Sequence, residues 1–285
     1  MTFYEFSVIT NTGFPYYHIN VKDPPKNAKL YLRFFDFSEN KTNHNFNFDP
    51  VSSFELNAGL ASALFEFARN LNKKIEILEF NSEENQKDSE VESNYNSDVL
   101  ITTQTEPYLL HKAIFQKITL IYEILISEKV PLDSALEILQ NEEDQILDIL
   151  LDKEAKNRVN SKKNMLIKLG NNFLGEMKNY GLNGICITSF DLSPIMVLGK
   201  ELTLKDIDII LRHIGNFPEI SPMEWIYRQS YNLEQQIWVY IINSGVGPTV
   251  NHLFEPYYYL LLAEPQSYLG EFPGKLAIRI NQVLG

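Results

Sequence analysis

Apolar residues fall at spacings of three and four along residues 52–72, where Leu56, Leu60, Ala63, Leu64, Phe67, Ala68 and Leu71 line one stripe, the signature of a helix buried on one side. Ser52 or Ser53 can cap it, since a serine oxygen accepts from the free amides of the first turn, and Asn70 and Asn72 supply a stop. The period then changes to two. Over 73–80, Ile75, Leu78 and Phe80 are broken by Glu76 and Glu79, which predicts a largely buried strand. Upstream, strands are predicted over 3–9 and 14–21, joined through Thr10-Asn-Thr-Gly13, where Asn and Gly accept positive φ. Pro15 sits near the start of the second strand, a place that tolerates a missing amide hydrogen at an edge. Residues 30–37 read as a further edge strand or a long hairpin arm, and the Asn-rich 38–50 as a loop. Residues 81–97 are polar and acidic, with Val91 and Tyr95 their apolar candidates, so a mobile loop is predicted there. The β-branched stretch 99–105 resumes as a strand, and Pro107 opens a helix to about residue 127.

Beyond that point the periodicity is helical. Residues 130–139 and 142–154 are amphipathic, the second with Ile146, Leu147, Leu150 and Leu151 as its stripe, and a further helix over 165–178 ends at Tyr180-Gly181. Strands return at 184–190 and 195–198 around the turn Asp191-Leu-Ser-Pro194. Thr203 caps the next helix, Asp206 standing in for the usual capping-box glutamate, and Leu204, Ile207, Ile210, Leu211 and Ile214 form its stripe before Gly215. Strands at 223–231, 236–242 and 257–263 follow, and Pro273-Gly274 leads into a last helix with Leu276, Ile280, Val283 and Leu284 inside. The order predicts an α+β protein of antiparallel sheets with flanking helices, divided into a domain over 1–127, a helical linker over 128–180 and a domain over 181–285.

Composition narrows the classes of function. With 285 residues, 44% of them hydrophobic, the chain is long enough for about two cored domains. A formal charge of -12, from 37 acidic against 25 basic residues, argues against nucleic-acid binding, which needs a clustered positive surface. The same balance gives no support to attraction by an anionic membrane, although Lys153, Lys156, Arg158, Lys162 and Lys163 leave room for a local basic patch. The single cysteine, Cys186, excludes an intramolecular disulfide and a zinc site of several thiolates, and fits a reducing cytoplasm. No secretory signal pattern opens the chain, so Asn40-Lys-Thr42 reads as an idle sequon. The most apolar run, 118–126, falls short of the ~20 residues that cross a bilayer and carries Glu123.

Candidate chemistry is sparse. His18, His44, His111, His213 and His252 lack the spacing that places two imidazoles on one metal. Gly245-Val-Gly-Pro-Thr-Val250 has no following Gly-Lys-Ser/Thr, and Pro248 removes an amide donor, so it reads as a hairpin loop. Cys186 alternates with Ile185 and Ile187 in a central strand and reads as an inert buried thiol. Asp148, Asp152 and Glu154 read as the charges of an exposed helix face. No catalytic, metal or cofactor site is predicted, and no cofactor is expected.

The strand, tight turn and strand of Ile185-Cys-Ile-Thr-Ser-Phe-Asp-Leu-Ser-Pro-Ile-Met-Val197 resemble the roadblock and longin superfamily, and Phe6-Ser-Val-Ile-Thr-Asn-Thr-Gly-Phe-Pro-Tyr16 resembles the opening hairpin of a longin domain. The resemblance covers most of the chain outside about 128–180 and implies two profilin/longin-like domains, longin-like then roadblock-like. It departs from a plain longin domain in the arm at 30–37. It implies a non-catalytic scaffold or regulator of small Ras/Rab-type GTPases, or a vesicle-traffic adaptor, that is cytoplasmic, reaches membranes through its partners, and can form homo- or heterodimers through such a domain. The partner surface it implies is the polar face of the first helix, Glu55, Asn57, Glu66 and Arg69. An alternative reading starts from Trp225, Tyr227, Tyr231, Trp238, Tyr240, Tyr257 and Tyr259, which could line a ligand pocket as in a PAS-like sensor. The reading preferred over a pocket is that these residues pack beneath the helices, and cross-strand aromatic pairing also suits a dimerising sheet face.

Overall fold

A computed structural model describes residues 2–10, 15–26, 28–37, 59, 62–64, 66, 68–69, 99–129, 138–199 and 202–285. The chain forms two compact units, one made of Met1–Ser38 with Ser97–Gly285, the other of Glu39–Asn96. In the second unit the described residues between 59 and 69 are helical, as the periodicity of 52–72 requires. Ala68 is buried and Leu64 half-buried there, but Ala63 is exposed, so the apolar stripe is narrower than the spacing suggests. The strand expected over 73–80, the mobile loop over 81–97, the loop over 38–50 and nearly all of the helix over 130–139 lie outside the described residues.

Among the described residues the larger unit contains two main antiparallel sheets and a two-stranded hairpin. The first is built from β1 (Phe3–Thr10), β2 (Pro15–Asn20), β3 (Tyr31–Asp36) and β4 (Val99–Thr105), in the order β2-β1-β4-β3. Of the two readings of residues 30–37, the edge strand is the one that forms, with Phe35 opposite Ile101 and Tyr31 opposite Thr105. Alternation puts Phe6, Val8, Ile101 and Phe35 inside. Phe35 stacks on His111 and packs near Phe115, both in α1 (His111–Ile121). That helix begins later than Pro107 suggests, because Leu110 is extended and its amide donates to the carbonyl of Asp191 at 3.2 Å. It widens into a π turn over Tyr122–Ile126 and tightens to a 3-10 turn at Ser127–Lys129. Ile118, Leu120, Ile121, Tyr122, Leu125 and Ile126 are buried, so the most apolar run is a core helix, and among the described residues no helix is long and apolar enough to cross a membrane.

Three helices, α2 (Gln140–Leu150), α3 (Lys153–Ser161) and α4 (Lys163–Met177), lead to the second sheet. Its strands are β5 (Leu182–Thr188), β6 (Pro194–Leu198), β7 (Trp225–Asn232), β8 (Gln235–Asn243) and β11 (Tyr258–Ala263), in the order β6-β5-β11-β8-β7. A small hairpin of β9 (Thr249–Val250) and β10 (Leu253–Phe254) occupies the expected loop between β8 and β11. One sheet face, with Ile185, Ile187, Tyr240, Ile242, Tyr259 and Leu261, packs on Leu166, Phe173 and Met177 of α4 and on Leu276, Ala277, Ile280 and Leu284 of α6 (Phe272–Leu284). The other face meets α5 (Leu204–Arg212), where Ser230 Oγ donates to the carbonyl of Ile210 at 2.5 Å. The Thr203 cap forms as read, with the Asp206 carboxylate accepting from the Thr203 amide at 2.7 Å.

The aromatic residues of this sheet divide between core and surface. Tyr257 and Tyr259 are fully buried, and the Tyr259 hydroxyl donates to Asn281 of α6 at 2.8 Å. Tyr227 stacks on Trp238 at 5.2 Å and is more than half exposed.

Candidate functional site

The two sheets meet along a polar seam. Arg212 of α5 donates to both oxygens of Glu106, just beyond β4, at 2.8 and 2.6 Å, and the Tyr4 hydroxyl of β1 bonds the same carboxylate. Tyr108 donates to Asp208 of α5 at 2.6 Å. Tyr17 of β2 reaches Glu143 of α2 at 2.7 Å.

The centre of this seam is Lys117. It occupies an inward position of α1, in line with Ala113, Ile114, Ile118 and Ile121, and is fully buried. Its ammonium lies 2.6 Å from Asp191 Oδ2 and 2.6 Å from Asp152 Oδ1, donates to the carbonyl of Leu150 at 3.3 Å, and rests 5.2 Å from the ring centres of Phe3 and Phe190. Asp191 stands in the β5–β6 turn, where its Oδ1 accepts from Ser189 Oγ at 2.6 Å and from the Ser193 amide at 2.7 Å. Asp152 sits between α2 and α3 in the left-handed region, at φ 52°, and this break turns its side chain inward. Its Oδ2 is buried with no hydrogen-bond donor among the described residues. Asp152 is thus not a charge on an exposed helix face, as its spacing with Asp148 and Glu154 suggested. The helix stops before it, and the next one starts after it.

The two aspartates are held unequally. Burial alone would raise both. For Asp191 the Lys117 charge and the donors from Lys117, Ser189 and Ser193 outweigh burial and keep the carboxyl below its usual range. For Asp152 burial, reinforced by the charge of Asp191, wins over Lys117 and pushes it up to about 6. Burial likewise opposes the charge of Lys117, but Asp152 and Asp191 overcome it and raise its pKa. Glu255, beyond β10, is buried nearby, and burial followed by the charge of Asp152 pushes it up to about 8. An ion pair this deep is a locking device between α1, the α2–α3 junction and the β5–β6 turn, because either charge alone would be costly.

Asp152 and Glu255 also border an open cleft of about 280 Å³, walled by Gln145, Asp148, Ile149, Lys153, Glu154, Asn157, Val250 and Asn251. Asp148 and Lys153 pair with each other at 2.7 Å, so Lys153 is not a free member of the basic patch, and Lys156 and Arg158 are half-buried.

Of the residues assigned to a partner surface, Glu66 and Arg69 are helical and exposed in the smaller unit, while Glu55 and Asn57 lie outside the described residues. His18 bonds Ser7 at 2.9 Å and His213 bonds the Ile209 carbonyl at 2.9 Å, and among the described residues no cluster of histidine, cysteine and carboxylates is arranged for a metal. Lys117, Asp191 and Glu255 escaped the sequence reading. The available signal was a lysine in the apolar stripe of a helix, which demands a buried countercharge. Compared with known proteins, the chain matches no family model and no curated sequence.

Proposed function

We propose that this protein is a non-catalytic regulator or scaffold of small Ras/Rab-type GTPases, acting in the cytoplasm through protein contacts of a longin-like fold followed by a roadblock-like one. The observation that carries the reading is a repeated sheet order. In the first sheet β1 is flanked by its hairpin partner β2 and by the last strand β4, and in the second β5 is flanked by β6 and by the last strand β11. In the second sheet the helix α5 also separates the opening hairpin from the three later strands, the order read from the sequence. On this reading the GTPase meets Glu55, Asn57, Glu66 and Arg69, and Glu66 and Arg69 are exposed as a contact surface requires. Charged rims set partner choice and association rate more than they set folding. Titration against co-occurring small GTPases, each loaded with GDP and with a GTP analogue, should show binding, and the double reversal E66R/R69E should weaken it about tenfold without unfolding the chain. Absence of binding at about 50 μM to every GTPase tried, or binding untouched by the reversal, would remove this surface.

A further inference from the structure

We propose that the cleft between α2, α3 and the β9–β10 hairpin binds one organic cation, an alkylammonium or guanidinium group. Four acidic residues border it, Asp148, Asp152, Glu154 and Glu255, against one ammonium, Lys153, which is already paired with Asp148 at 2.7 Å. Behind and beside them stand Asp191, Lys117 and Lys156, so the site as a whole has more negative than positive groups. The decisive atom is Asp152 Oδ2. Lys117 lies 2.6 Å from the other oxygen of that carboxylate, and Oδ2, in a residue that lines the cleft, is buried with no donor among the described residues. A buried acceptor left this way is costly, and an incoming N–H group would relieve that cost.

Shape and chemistry select the kind of cation. Among the described residues no carboxylates converge as a metal cage, whereas a space of about 280 Å³ admits a small organic group. Ile149 and Val250 form an apolar wall for methylenes, while Gln145, Asn157 and Asn251 offer amide oxygens at the rim. An ammonium has three donors and a guanidinium five, enough to serve Asp152 and Glu255 together. A lysine or arginine side chain of another protein and a free amine present the same head group.

Binding must also move a proton. Burial and Asp152 keep Glu255 protonated up to about pH 8, and a cation seated against it favours the ionised form. The proton leaves to solvent as the cation enters, so affinity rises with pH through that range and levels off once Glu255 is ionised in the empty site. Protonation of Asp152, near pH 6, weakens binding further at the acid end.

The test is calorimetric titration of the full chain with butylammonium chloride, butylguanidinium chloride and a capped pentapeptide bearing one central lysine, at about pH 6, 7.5 and 9. Saturable binding of at least one ion to a single site, tightening with pH, is the expected result. E255Q, close in shape to the protonated acid and so compatible with the fold, should bind about tenfold more weakly at pH 9 and lose most of the pH dependence. A peptide that outbinds the free ions assigns the site to a protein side chain, and free ions that bind where the peptide fails assign it to a small amine. No saturable binding of any of the three up to about 50 mM, or an E255Q protein that binds at pH 9 as tightly as the parent, overturns the proposal.

Discussion

Replacing Lys117 by methionine preserves most of the aliphatic stem and removes the ammonium, leaving Asp152 and Asp191 buried without their shared countercharge. Breaking a buried pair by deleting one partner costs about 3–5 kcal/mol, and here one deletion breaks two contacts of 2.6 Å. Ser189 and Ser193 still donate to Asp191, which softens the loss on that side, so about 4 kcal/mol at pH 8 is expected. The pH dependence has a definite sign. In the parent protein Lys117 is raised, so its stabilisation is complete below the ordinary lysine range and fades as pH rises through the raised value. Asp191 is lowered, so its stabilisation is present above the ordinary carboxylate range and fades as pH falls through the lowered value. Asp152, raised to about 6, works the other way and costs stability as pH rises toward and through that value. Without Lys117 both carboxylates rise, the folded state takes up protons that the unfolded chain does not, and the deficit shrinks on acidification. Urea unfolding followed by circular dichroism at about pH 8 and pH 5.5 reads both quantities. The triple change K117M/D152N/D191N should recover much of the loss, since it removes the charges together. A K117M protein within about 1 kcal/mol of the parent at pH 8, or a deficit that does not shrink at pH 5.5, would refute the electrostatic account.

Two further outcomes follow from packing. A Cβ on Gly247 would collide with the backbone carbonyl oxygen of Glu255 and lie 2.9 Å from Pro256 Cα, so Gly247→Ala should cost about 1–3 kcal/mol and speed hydrogen exchange at the Tyr257 amide, which donates to the Val246 carbonyl at 2.9 Å. Unchanged exchange there would mean that the loop yields freely. Cys186 is fully buried, with burial raising its thiol pKa, so a thiol reagent should label it only on unfolding, and rapid labelling of the native chain would contradict its place in β5.

Neighbouring residues along the chain settle a good part of the fold among themselves. The strands at 3–9 and 184–190, the Thr203–Asp206 cap and the stripe of Leu276 and Ile280 are legible because alternation, capping geometry and helical period are local properties. The α+β class follows from their order. Whatever depends on what lies opposite was settled by the packing of segments distant along the chain. Residues 31–36 became a strand because β4, distant in sequence, supplies the partner for their amides and carbonyls. The start of α1 was set by a hydrogen bond to Asp191. Asp152 looked like a solvated helix charge and proved to be buried, because a left-handed turn ends α2 just before it and aims it at Lys117. A carboxylate's position along the chain says nothing of its exposure, and the free energy of a charge is set by the groups and the solvent around it. Those surroundings come into being only when α1, the α2–α3 junction, the β5–β6 turn and the segment after β10 are folded against one another.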